Sequence, residues 1–363
     1  MAVMADRLHE HPGWGGVGVF VVVFTAIWSI WISFVVYADL ANEATRIGVL
    51  MGAAGVIGLM AAALGELDQR ANAFAIGFVI CRVVAARAAL RTGRLLTSWP
   101  GVQLGGLTVP WIVSLWVEEP AKYWIWAAAL ALELAFGAAQ AAGDPEAEDR
   151  VFARVTERLR RKAGRRRQLA PPVPVGARPE HLGDRLGVFV IIVLGEGVAQ
   201  VVRGASDAEW GRGLGVASVA AFGILGGLWW LAFRHGFASD GDPPYPLRTL
   251  LLMHLVMTGA VVALAAALGE LLLDVDAEPS AFYRWLAAGG LAAWFVVSAV
   301  LAAGGGDRRT AARALGSVAI VAIAAAVGGG IDAVWFVVLL LASVAWTALP
   351  LRAPRGPRAA PAA

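Results

Sequence analysis

Charge is what this 363-residue sequence has least of. Asp, Glu, Lys and Arg together make up 16% of it and apolar residues 59%, where soluble proteins run at about 25% charged and about 45–50% apolar. That excludes an ordinary soluble domain. It also excludes a disordered chain, which would be poor in apolar residues and rich in charge. Cys81 is the only cysteine, so a disulfide scaffold is excluded. Lysine occurs twice against 28 arginines, a codon bias before it is chemistry. There is no nucleophile–base pairing, no Cys/His ligand set and no haem-type histidine spacing, so neither a metal nor a cofactor is expected. His9-Glu10-His11 reads as two histidines in a tail. Gly13-Trp14-Gly15-Gly16-Val17-Gly18 lacks the strand–turn–helix setting of a phosphate loop. Nucleic-acid binding would need a folded basic module or interleaved aromatics, and neither is present.

What is present is a series of long apolar runs. A membrane helix needs about 20 consecutive apolar residues, because each adds about 1.5 Å across a hydrocarbon core about 30 Å thick. Ten stretches qualify: 17–37, 47–65, 72–90, 101–117, 121–141, 182–202, 213–233, 247–273, 281–302, and a last one, 311–350, broken at Gly328-Gly329-Gly330 and Asp332. None alternates with period two, which argues against a membrane β-barrel. The expected fold is therefore an all-α polytopic bundle of about ten transmembrane helices. It divides into an N-terminal tail (1–16), membrane helices (17–141), a basic loop (142–181), further membrane helices (182–350) and a tail (351–363).

Lys and Arg are retained on the cytoplasmic side of a membrane. The longest connection is also the most basic, with ten Lys/Arg between Arg150 and Arg178. Placing it inside puts 21 Lys/Arg inside and six outside. The tail from Arg352 then lies in the cytoplasm and the acidic loop Asp274, Asp276, Glu278 outside. Within the basic connection Val151, Val155 and Leu159 share one helical stripe, with Phe152 beside it. Two readings stand: an amphipathic helix attracted to anionic inner-leaflet lipids through Arg150–Arg167, or an ordinary positive-inside loop. A Pro-rich spacer, 168–180, follows it.

A charge inside a span costs about 2.5–3.5 kcal/mol at the helix centre, so each needs a partner or a purpose. Arg82 lies about 15 Å, and Glu133 about 18 Å, below the outer edge of its stretch at 1.5 Å per residue. Opposite charge at similar depth predicts an ion pair. In 182–202, Arg185 falls about 40° from His181 and Glu196 about 20° further on, which sets all three on one stripe. Gly183 and Gly187 form a small-xxx-small pair that admits a close neighbour. Gly195 and Gly197 flank Glu196 and leave room for water, an ion or another side chain. The tripeptide Leu-Gly-Glu recurs, ending at Glu66, Glu196 and Glu270, and identical heptapeptides occupy 61–67 and 265–271. Three carboxylates at one level could form a cation or proton site if their helices adjoin.

His181-Leu-Gly-Asp-Arg-Leu-Gly-Val-Phe-Val-Ile-Ile-Val-Leu-Gly-Glu-Gly resembles the signature of the bacterial low temperature requirement protein A (LtrA) family. So do the Trp-rich run 27–46, the segment around Phe74–Arg91 with Arg82, the run 123–137 with Glu133, Leu228-Trp229-Trp230, and 245–271 with His254. Two features depart from that pattern. Gly197 stands where the family has Ser, and the family's opening helix with an LFFDLVFV-like motif has no counterpart, which implies an in-frame apolar helix upstream of Met1. The resemblance implies a polytopic plasma-membrane protein whose name records a cold-growth requirement, and no settled reaction. Taken with the residues, the expected function is transport of a small solute, ion or proton. Its path would be lined by Glu196, Glu133, Arg82 and Glu270, with His181 and Arg185 at one end. The alternatives are a membrane-embedded enzyme acting on a lipid or isoprenoid, and a structural or accessory membrane protein.

Overall fold

The computed structural model describes residues 2–41, 43–96, 104, 107–139, 145–163, 173–175, 179–235 and 245–349. Among these residues there are thirteen α-helices: α1 (Ala2–Glu10), α2 (Trp14–Leu40), α3 (Glu43–Leu64), α4 (Leu67–Thr92), α5 (Thr108–Val113), α6 (Ala121–Ala139), α7 (Pro145–Ala163), α8 (Pro179–Asp207), α9 (Arg212–His235), α10 (Leu247–Leu271), α11 (Ala281–Gly304), α12 (Arg308–Val327) and α13 (Ala333–Ala348). Helices are what lipid demands, since hydrocarbon offers no partner for a backbone N–H or C=O and the helix satisfies them within itself. Two short strands, β1 (Arg94–Leu96) and β2 (Val173–Val175), pair in parallel with Leu95 opposite Pro174. They tie the end of α4 to the approach to α8.

Local chemistry sets the helix ends. Gly93 takes the left-handed conformation (φ 66°) that closes α4, its N–H reaching the Leu90 carbonyl; only glycine adopts it without cost. Ser280 and Asp307 cap α11 and α12 by accepting from the N–H groups of Tyr283 and Thr310, which satisfies donors a helix start leaves open. The glycines at 328–330 tighten into a 3-10 turn, and Asp332 opens α13.

Among the described residues, eight helices are long and apolar enough to cross a membrane, fewer than the ten stretches expected. The difference lies at 101–117 and at α6; α13 is a further, short helix within the last stretch, 311–350, which α12 already represents. The stretch 101–117 holds only the six-residue α5, with Pro110 inside it, and a 3-10 turn at Ser114–Trp116; the rest of it falls largely outside the described residues. Helix α6 carries Lys122 and Glu133 within 19 residues. Helix α13 has 16 residues, about 24 Å at 1.5 Å each.

Helix α10 is the axis of the bundle. Every residue from Ala260 to Gly269 is buried, as expected of a helix apolar on all sides. It packs against α8 and α11, and also against α1, α2, α6 and α13. Small residues allow the approach: a Cβ on Gly204 of α8 would overlap the Gly269 carbonyl, and one on Gly290 of α11 would lie 2.8 Å from the Ala260 carbonyl. By contrast α3 exposes most of its surface, including Ile47, Met51 and Leu59, as a lipid-facing helix does. Residues 2–10, read from sequence as part of a tail, form α1, which buries Met4, Ala5 and Leu8 against the bundle.

Candidate functional site

Arg82 and Glu133 meet. The Arg82 guanidinium donates to Glu133 Oε1, with the Arg82 side chain 1% and the Glu133 side chain 10% exposed. Ten positions back along α4, Asn72 Oδ1 accepts from Lys122 Nζ at 2.8 Å. Both contacts join residues about 50 apart, so α6 runs alongside α4 in the same direction. Phe74, Phe78, Trp111 and Trp126 pack this junction, with Trp111 stacked between Phe78 (3.8 Å) and Trp126 (4.7 Å). Trp126 Nε1 donates to Ser114 Oγ at 2.8 Å.

The third side of the pair is α2, and the sequence reading missed its contribution. Arg82 Nη1 donates to Ser33 Oγ at 3.4 Å. Ser33 belongs to a series of hydroxyls at every fourth position, Thr25, Ser29, Ser33 and Tyr37, all buried. Residues four apart share a helix face, so a polar stripe runs along an otherwise apolar helix. Ser29 and Ser33 donate to the carbonyls of Ala26 and Ser29, which keeps their oxygens available as acceptors. The spacing was the signal that could have found them. Arg82 Nε, also buried, has no hydrogen-bond partner among the described residues.

His254, read only as a family match, sits two turns into α10, fully buried. Trp28 of α2 donates to its Nδ1 at 3.0 Å, and its Nε2 faces the Leu186 carbonyl of α8 at 3.1 Å. Trp31 stacks on the imidazole at 5.7 Å between centroids. One side chain thereby joins three helices.

The remaining candidates are dispersed. Arg185 Nη1 donates to the Val35 carbonyl at 2.8 Å, near the end of α2, where a cation complements the helix dipole. The side chain of His181 lies outside the described residues. Glu196 is half-buried and accepts from Gln200 Nε2 at 2.9 Å. The room beside Gly197 is taken by Leu225 of α9, 2.8 Å from where a Cβ would lie, whereas nothing approaches Gly195. Gly187 meets Phe233 at ordinary contact distance; the close approach of α8 is at Gly204 instead.

The three repeated carboxylates do not share one site. Glu66 is exposed and pairs with Arg70 at 2.9 Å, Glu196 with Gln200, and Glu270 with His9 Nδ1 at 3.0 Å. Among the described residues no group of three or more His, Cys, Asp or Glu is placed to hold a metal ion. Glu196 and Glu270 do stand on adjoining helices, because α8 crosses α10 where Gly269 contacts Gln200.

Long apolar helices around a buried polar junction define an integral, multi-pass helical membrane protein. The chain belongs to the family of the bacterial low temperature requirement A protein (LtrA), whose sequence pattern matches residues 1–351. No curated protein and no solved structure matches it.

Proposed function

We propose that the protein moves a small solute, ion or proton through a polar path that passes Arg82 and Glu133 along the hydroxyl stripe of α2. Glu196 and Glu270 would line one end of it, and Arg185 with His181 the other. The observation that carries this reading is the buried Arg82–Glu133 pair with Ser33 beside it and an unfilled donor at Arg82 Nε. A buried ion pair is a poor source of stability, since desolvation of both charges offsets their attraction. A chain that keeps such a pair in apolar surroundings, with a spare donor and a ladder of hydroxyls, is equipped to hand a polar species onward. The same contacts favour a second reading, a structural lock between α4 and α6, because both charges are already paired. Proteoliposomes loaded with a pH-reporting dye separate the two. A proton or proton-coupled flux present with the unmodified chain and lost in Glu133→Gln supports the path; flux unchanged by Glu133→Gln leaves the lock.

We place the side bearing α7, and the C-terminus, in the cytoplasm of a bacterial cell, on the distribution of Lys and Arg. Exposed Arg150, Arg154, Arg158 and Arg161 of α7 suit the anionic lipids of that leaflet.

A further inference from the structure

We propose that α1 is a lid over one mouth of this path, latched to α4, α8 and α10, which lifts when that mouth opens. What the mouth leads to rests on the transport reading above; the docking and lifting of α1 do not.

Nine residues are too few for a stable isolated helix, so α1 owes its form to what it lies on. Its apolar side buries Met4, Ala5 and Leu8. Its polar side reaches three different helices. Asp6 accepts from Arg203 of α8, Arg7 donates to Asp68 of α4 at 2.5 Å, and His9 Nδ1 meets Glu270 of α10 at 3.0 Å. Just beyond the helix, His11 Nε2 lies 3.8 Å from Asp68. The latch therefore joins α4, which carries Arg82, to the crossing of α8 and α10 beside Glu196. Any separation of those helices at this end must first break it.

The contacts suit a lid rather than a fixed cap. Asp68 is 55% and Arg203 50% exposed at the side chain, and exposed pairs are individually weak. Met4, Arg7 and Leu8 lie over Phe20, Val23 and Leu64, with a gap of only about 10 Å³ between them, room for about one water molecule. A short element with few buried side chains and exposed polar contacts belongs to the low-stability part of a fold.

The test uses the full chain in nanodiscs, which leave both faces accessible, with Val23→Cys as a near-isosteric reporter under α1 and Leu64→Cys as a second. Cys81 is buried and supplies the background rate. Reaction with a polar maleimide should be slow with the latch intact. Asp6→Arg sets two like charges together and should speed it about two- to fivefold, the range that loss of one exposed pair allows. Adding Arg203→Asp restores the pairing and should return the slow rate. A rate unchanged by Asp6→Arg, or raised and not restored by the second substitution, overturns the lid. So does a rate in the parent equal to that of exposed Gln69→Cys. Because labelling is read without flux, a protein that passes this test yet transports nothing refutes the path and keeps the lid.

Discussion

Trp28 of α2 donates its indole N–H to Nδ1 of His254 on α10 at 3.0 Å, which leaves the other ring nitrogen to donate to the Leu186 carbonyl of α8. The neutral tautomer protonated at Nε2 satisfies both bonds, and the residue is fully buried. Such a histidine is a fastener between helices.

Removing the fastener strands a polar group in an apolar interior. His254→Phe keeps a ring stacked on Trp31 but leaves the Trp28 N–H unpaired, while the Leu186 carbonyl keeps its bond within α8. A loss on the order of 2 kcal/mol is expected from one unsatisfied buried group. Thermal unfolding in detergent, followed by Trp fluorescence, should fall clearly below that of the unmodified protein. An unchanged midpoint would show that neither bond holds in the membrane protein.

The crossing of α8 over α10 depends on two glycines, and the neighbouring glycine does not share the constraint. A Cβ at 204 overlaps the Gly269 carbonyl, whereas one at 195 meets nothing within 4 Å. Gly204→Ala should destabilise by about 1–3 kcal/mol through overpacking, while Gly195→Ala should be neutral or stabilising through helix propensity. Equal effects at the two positions, measured by the same unfolding assay, would remove the close crossing.

Side of the membrane is accessible to reporter fusions. Asp276 lies at the same end as the start of α9, 2.9 Å from where a Cβ on Gly213 would stand. A periplasm-active reporter fused there should be active, and one fused after Arg161 inactive. A cytoplasmic Asp276 would reverse the orientation drawn from Lys and Arg.

The Arg82–Glu133 contact was legible in the sequence because depth along a helix is arithmetic: two charges at matching depth in neighbouring spans find each other. The hydroxyls at Thr25, Ser29, Ser33 and Tyr37 were equally legible by their spacing, yet a tryptophan-rich run draws the eye to packing. Helix α1 was not legible. It is too short for a periodic signal, and its partners lie 61, 197 and 261 residues away, so nothing local announces them. The span count of ten exceeded the eight long apolar helices because apolar composition in 101–117 is local and plain, while its described part holds only a six-residue helix and a 3-10 turn. The shared tripeptide ending at Glu66, Glu196 and Glu270 says nothing about the partners each takes, which are Arg70, Gln200 and His9.

Whether Arg82 and Glu133 serve transport or only architecture is decided by replacing both at once. Breaking a buried pair on one side costs about 3–5 kcal/mol, whereas apolar replacement of both partners is often neutral or stabilising. Arg82→Met alone should therefore unfold readily, and the double variant Arg82→Met with Glu133→Leu should recover the stability of the parent. The deciding measurement is flux through proteoliposomes containing that stable double variant. The path account predicts none above protein-free vesicles, and flux at the level of the unmodified chain would contradict it.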